Sequence, residues 1–255
     1  MKLPSNDQNL IHLHGVGDVV RPVDIDGTKT SFDYLKSLRI YRFEAGQVID
    51  GEAEGDEVCI VFMSGDVTME VMGEKNHTWE IEGRANPFES APHVVYLPPH
   101  YSYRLTPKGT AEVAYARSSA RGKISPYFQR PEDIKTESQP ERELRYLLPE
   151  AEHLICVETV NRGWSPYPPH KHDQDTENEA GLEQLSYHLF ESKDGFALAR
   201  IFDDDKDEAF VIKHRDTLAI KSGYHTLSIT PDASVYQLNI WAGAGENKFK
   251  ASEQQ

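Results

Sequence analysis

Tyr167-Pro168-Pro169-His170-Lys171-His172-Asp173 is the stretch on which the reading of this chain turns. Two histidines one residue apart cannot share a helical face, where neighbours stand three or four positions apart. On an extended strand, positions i and i+2 project from the same side, roughly 6–7 Å apart, so two imidazoles can converge on one metal ion. Pro168 and Pro169 just before them restrict the backbone and disfavour a helix. A bare His-x-His is equally compatible with a solvated polar loop. The metal reading is favoured by a third histidine in Lys221-Ser222-Gly223-Tyr224-His225, where a glycine turn heads an apparent strand.

Short β segments dominate on both sides of this stretch. Leu35 to Phe43, Glu57 to Met63, Val67 to Met72, His93 to Leu97 and Ala111 to Tyr115 read as strands in the first half. Leu154 to Val160, Gln184 to Phe190, Phe196 to Phe202, Ala209 to Lys213, Thr217 to Ile220, Thr226 to Ile229 and Val235 to Trp241 do so in the second. Many short strands separated by Gly, Pro and Asp turns predict an all-β antiparallel barrel or sandwich. The best helical candidate is Pro140 to Leu148. An imperfect repeat divides the chain: Leu97-Pro98-Pro99-His100-Tyr101-Ser102-Tyr103 resembles Ile220-Lys221-Ser222-Gly223-Tyr224-His225-Thr226, and Gly55-Asp56-Glu57 has a counterpart in Gly181-Leu182-Glu183-Gln184. We therefore expect two related barrels: a mainly structural one over 1–132, a linker over 133–150, and a metal-bearing one over 151–255. Six of the eleven histidines lie beyond residue 150.

Composition narrows the partners. With 27 basic and 42 acidic residues among 255, the formal charge is −15. This argues against nucleic acid, whose binding needs phosphate neutralisation, and against an anionic membrane surface. A small anionic substrate remains compatible, since one or two local cations recognise a carboxylate against an unfavourable net field. No apolar run approaches the ~20 residues of a membrane span, and Met1 to Asp7 contains no secretory h-region. Cys59 and Cys156 sit inside apolar runs and read as buried thiols of a reducing compartment. A cytoplasmic location is expected. Asp203 to Glu208 reads as a solvated turn.

Gly163-Trp164-Ser165-Pro166-Tyr167-Pro168-Pro169-His170-Lys171-His172-Asp173 resembles the signature of the 5-deoxyglucuronate isomerases of inositol catabolism. These are bicupins related to the 4-deoxy-5-ketouronate isomerases of pectin breakdown. Leu147-Leu148-Pro149, Gly195 to Arg200, Gly223-Tyr224-His225 and Leu238 to Gly243 are similar as well, and Glu57 to Val61 with Gly65 more loosely. The resemblance implies two tandem cupin (double-stranded β-helix, jelly-roll) barrels and a homo-oligomer. It also implies a divalent metal in the second barrel, usually Zn2+, with Fe2+ or Mn2+ also open. His170, His172 and His225 match the family's three histidine ligands. Gln184 stands where the family has its glutamate ligand, and Ser186 where it has a tyrosine. An amide oxygen is a weaker donor than a carboxylate and removes one negative charge. Glu183 points to the opposite face unless the strand slips by one, and Glu177 lies in an acidic segment, Asp173 to Glu183, that reads as a mobile loop.

The activity implied is aldose–ketose isomerisation of a deoxy-uronic acid, of the type that converts 5-deoxyglucuronate into its 2-keto isomer. Moving a carbonyl between neighbouring carbons removes a proton α to it and returns that proton one carbon away. A metal polarises the oxygens and a base carries the proton. Candidate bases are His188, Glu183 and Tyr187, of which His188 shares strand parity with Gln184. Arg200 is the candidate for the substrate carboxylate, and Tyr224 reads as packing. Two other readings remain: a non-catalytic metal- or sugar-binding bicupin, for which Gln184 and Ser186 speak, and an iron-dependent cupin oxygenase.

Overall fold

A computed structural model describes residues 10–11, 20–192, 194–231, 233–245 and 248–254. The segment read above for a secretory signal lies outside them. In chain order the strands of the first half are β1 (Leu10–Ile11), β2 (Val20–Asp26), β3 (Leu35–Phe43), β4 (Ile49–Glu52), β5 (Asp56–Ser64), β6 (Val67–Met72), β7 (His77–Ile81), β8 (Val94–Leu97), β9 (Ser102–Pro107), β10 (Ala111–Ser119) and β11 (Tyr127–Gln129). After one 3-10 turn at Pro131–Asp133 follow β12 (Lys135–Gln139), β13 (Arg142–Tyr146), β14 (Ile155–Asn161), β15 (Trp164–Lys171), β16 (Leu182–Phe190), β17 (Phe196–Phe202), β18 (Asp207–Lys213), β19 (Thr217–Ile220), β20 (Tyr224–Ile229), β21 (Val235–Gly243) and β22 (Ser252–Glu253). The protein is all-β, and no helix of the described residues is long and apolar enough to cross a membrane.

The strands form two sandwiches of corresponding topology. In the first half, a six-stranded sheet (β11-β8-β5-β10-β3-β2) faces a four-stranded one (β4-β9-β6-β7). In the second, a seven-stranded sheet (β1-β19-β16-β21-β14-β13-β12) faces a five-stranded one (β18-β17-β20-β15-β22). The order β8-β5-β10-β3 thus repeats as β19-β16-β21-β14, and β4-β9-β6-β7 as β15-β20-β17-β18. The backbone carries the same repeat: His100 and Gly223, equivalent in the two halves, both turn with positive φ, 69° and 95°.

The two large sheets pack back to back. Cys59, Val61, Tyr96 and Ala114 from one meet Cys156, Leu185, Tyr187 and Leu238 from the other in one apolar cluster. This explains why β5 and β16 are buried along nearly their whole length: a strand covered on both faces has no solvent side to keep polar. Both cysteines are free and buried there.

Two carboxylates tie the halves together reciprocally. Glu57 accepts hydrogen bonds from the amides of Glu152, His153 and Leu154 at 2.6–2.8 Å. Its repeat counterpart Glu183 accepts from the amides of Asp33, Tyr34 and Leu35 at 2.6–2.9 Å. Each carboxylate thereby satisfies three consecutive donors at the start of the other half's corresponding strand. Between them lies a buried ion pair, Arg84 with Glu158 at 2.5 Å, to which the Tyr236 hydroxyl also donates at 2.5 Å.

Residues 135–146, expected to be a connector and partly helical, form the β12–β13 hairpin at the edge of the seven-stranded sheet. Pro140 therefore sits in the turn of this hairpin and opens no helix. Arg142, Leu144 and Tyr146 face one side of β13 and line a cavity. Arg145, on the other face, is buried and donates to the carbonyls of Pro87 and Ser90. Contacts on both faces impose the period of two. Of the turn expected over Asp203 to Glu208, the first four residues form it, the Asp203 carboxylate accepting from the amides of Asp205 and Lys206, while Asp207 and Glu208 open β18.

Candidate metal centre and its cavity

Parity places the site. On β16 the even residues Gln184, Ser186 and His188 look into the second sandwich, and the odd residues Glu183, Leu185 and Tyr187 look toward the first. On β21 the inward set is Gln237, Asn239 and Trp241; on β14 it is Ile155, Val157, Thr159 and Asn161. These floor a cavity of about 650 Å³. Its opposite wall carries His170 and His225, which are register partners on β15 and β20.

His170, His172 and His225 each offer a nitrogen, and those atoms lie within 4.8 Å of one another. The spacing that makes this possible is the one read from the sequence, with the backbone register shifting between Ser165 and His170. Burial pushes the His170 imidazole down to about 3, with the neighbouring His172 and Arg142 charges adding to the effect. His225 is held well below its usual value by burial and the other two rings, and His172 is lowered by burial. All three are therefore neutral at physiological pH, the form that ligates metals.

The tautomers also fit a cation. A carbonyl only accepts, so His172 Nδ1 donates to Leu182 O at 2.9 Å, and His225 Nδ1 donates to Gly223 O at 3.1 Å. Their Nε2 atoms are left as acceptors. His225 Nε2 is buried without a hydrogen-bond partner. His172 Nε2 faces Gln184 Oε1 at 3.0 Å, while the Gln184 amide nitrogen donates to Asn239 Oδ1 at 3.2 Å. Two acceptors at that distance are satisfied by a cation between them. The histidine triad is thus compatible with a divalent metal, with the Gln184 oxygen adjacent. Phe249 lies at a steep angle to the same rings, 5.7 Å from His170 and 5.8 Å from His172, centroid to centroid.

Beyond the triad the floor is uncharged, and its polar groups form one hydrogen-bonded network. Ser186 Oγ donates to Asn239 Oδ1 at 2.7 Å and accepts from Gln237 at 3.1 Å. Gln237 also contacts His188 Nε2 at 3.1 Å and accepts from Asn161. His188 Nδ1 donates to the Asp216 carbonyl at 3.2 Å, and burial depresses this ring to about 4.

The other expected site residues lie elsewhere. Glu183 spends its carboxylate on the three amides described above. Tyr187 is buried in the inter-sandwich cluster, its hydroxyl 3.4 Å from Arg215. Arg200 is exposed, paired with Asp207 at 2.7–2.8 Å and lying over the Phe202 ring at 4.0 Å. None of these three lines the cavity. Glu177 is exposed. The acidic loop is held by the buried Glu179, which accepts from the amides of Asp173 and Gln174. Sequence reasoning missed Arg142 and Phe249. Arg142 fell in the segment read as a linker, and Phe249 in a polar tail with no marking pattern.

The model of the KduI/IolB family matches residues 18–255 of the chain. A 5-deoxy-glucuronate isomerase of Geobacillus kaustophilus is 32% identical over 241 residues, covering 89% of this chain and 85% of that protein. The enzyme of the same name from Bacillus subtilis strain 168 is 28% identical over 246 residues, covering 90% and 89%. Among solved structures, an IolB-like protein of Salmonella typhimurium LT2 superposes with a TM-score of 0.88 at 25% identity, covering 96% of both chains. An oxalate decarboxylase of Lactobacillus farciminis shares the fold at a TM-score of 0.72 and 9% identity, covering 99% of this chain and 90% of that one. The chain belongs to the KduI/IolB family.

Proposed function

We propose that this KduI/IolB-family chain is a cytoplasmic, metal-dependent aldose–ketose isomerase of inositol catabolism, converting 5-deoxyglucuronate or a close deoxy-uronic acid into its 2-keto isomer. The carrying observation is the convergence of His170, His172 and His225 on a polar-floored cavity, in a chain aligned over most of its length with isomerases. The three imidazoles would hold the ion, zinc in this proposal, with the Gln184 amide oxygen as an uncharged neighbour. When bound, such an ion polarises a carbonyl and its adjacent hydroxyl.

The chain's own groups orient the sugar. Trp241 lines the cavity, and its buried Nε1 donor has no hydrogen-bond partner. A substrate oxygen satisfies it. Asn239 and Ser186 offer further donors and acceptors beside it. Ser186 both donates and accepts, so it can pass a hydroxyl proton along but cannot store one. Gln184 and His188 stand four residues apart on one strand, roughly 13 Å. We therefore assign His188 Nε2 to the hydroxyls remote from the triad, not to the reacting carbons. On this assignment His188→Gln raises KM more than it lowers kcat.

Gln184 and Ser186 support a second reading, a binder that keeps the ion and the sugar acid without turnover. Incubating metal-loaded protein with 5-deoxyglucuronate separates the two. The isomerase reading expects keto-acid product, abolished by chelator and restored by added metal. Thermal stabilisation by the sugar acid without product contradicts it in favour of the binder.

A further inference from the structure

Charged residues are few in the lining of the cavity. In a chain with a formal charge of −15, the lining contains a single carboxylate, the exposed Asp133. It contains two permanent cations, Lys135 and Arg142, both from the β12–β13 hairpin. Their situations differ. Lys135 is exposed, paired with Glu137 at 2.6 Å and lying over the Tyr146 ring at 4.8 Å. Arg142 is half-buried, and its recorded side-chain bond is to a neutral acceptor, Gln139 Oε1 at 3.0 Å. No carboxylate of the described residues forms an ion pair with it.

A guanidinium that faces a neutral floor without forming an ion pair is matched by a carboxylate arriving with a ligand. Its planar fork suits bidentate binding. Arg142 lines the same cavity as His170 and His225. The carbonyl and carboxylate ends of one six-carbon acid lie roughly 6–7 Å apart, about two residues of extended chain.

We propose that Arg142 is the carboxylate-recognition residue of this cavity, with Lys135 as a flanking cation at its mouth. The proposal rests on the sugar-acid reading above and deepens it: specificity for an acid over a neutral sugar resides in the hairpin edge of the sheet. Arg200, the residue expected from sequence, is already neutralised by Asp207 on the outer surface.

The test uses the metal-loaded full chain, with Arg142→Gln, Arg142→Lys and Lys135→Gln. Calorimetric binding of gluconate, a six-carbon acid with no carbonyl to isomerise, is measured beside turnover of 5-deoxyglucuronate. Arg142→Gln should weaken gluconate and raise KM on the order of 30- to 100-fold, with metal content and melting temperature unchanged. Arg142→Lys should lie between, and Lys135→Gln should shift binding by less than about fivefold. Neutral six-carbon polyols such as glucitol should show no dependence on Arg142. Equal gluconate binding by wild type and Arg142→Gln, or none by wild type, overturns the proposal. Arg142-dependent gluconate binding without any turnover leaves it standing and removes the isomerase reading instead.

Discussion

The two sandwiches use one ladder for opposite ends. Aligning Glu57 with Glu183 and following the strand registers pairs each cavity-floor residue with its counterpart in the first half. Where the second sandwich has Gln184, Ser186 and His188 on β16, the first has Val58, Ile60 and Phe62 on β5. Where β21 offers Asn239 and Gln237, β10 has Tyr115 and Val113; where β14 offers Thr159 and Asn161, β3 has Tyr41 and Phe43. The first set forms a filled apolar core, and the second a cavity of about 650 Å³. The same holds on the facing sheet. Gly51 leaves its Cβ space to the Tyr103 ring, 2.3 Å from where that carbon would stand, whereas the second half places histidines on the matching strands. The repeated scaffold fixes where side chains point; their chemistry decides whether that space is core or site.

If the scaffold is shared, its reciprocal ties should matter equally. Glu57→Ala and Glu183→Ala each orphan three backbone donors, and each should cost about 3 kcal/mol or more. Denaturant unfolding checks this. A large loss in one and none in the other would break the equivalence of the halves.

A second test exchanges the contents. Ile60→Ser opens a filled core and buries a hydroxyl, and should destabilise by roughly 2–5 kcal/mol. Ser186→Ile fills part of an existing cavity. It removes the hydroxyl shared by Asn239 and Gln237 and should cost about 1–2 kcal/mol while abolishing sugar-acid binding. Equal destabilisation by both would mean that the second sandwich is also a packed core.

Much of this contrast was legible in the chain. Doubly covered strands such as β5 and β16 announce themselves as apolar runs, and β3, β6, β17 and β19 have the expected bounds because turn residues flank them. The triad was legible because His-x-His has only one geometry that converges. The β12–β13 hairpin was not. Arg142, Leu144 and Arg145 make a plausible helical turn in isolation, and only the second sandwich and Pro87 to Ser90 give each face of β13 a reason to alternate. Arg200 lies outside the cavity for a similar reason: alternation puts it on a sheet, but only the fold says that its face is the solvent side. Glu183 looked like a base because carboxylates near a metal motif usually serve it, yet its odd parity on β16 already pointed away.

The metal-free protein should also lose stability as pH falls. His170 and His188, with folded values of about 3 and 4, and the lowered His172 and His225, all stand below the ~6.5 of an unfolded histidine. The unfolded state therefore binds the extra protons. Stability is complete above about pH 6.5 and declines as pH falls toward the folded values, by up to about 1.4 kcal/mol per pH unit for each histidine. Urea unfolding between pH 7 and 5 should show a shallower decline for His188→Gln than for wild type. Identical slopes would contradict the buried neutral state assigned to this ring.

The central claim, that one sandwich holds an ion and the other does not, is tested most directly by metal content. Chelator-treated protein titrated with zinc and then desalted should retain one equivalent per chain. His170→Ala/His172→Ala should retain none while unfolding at the same denaturant concentration as metal-free wild type. One equivalent retained by the double variant, or none by wild type, would contradict the account.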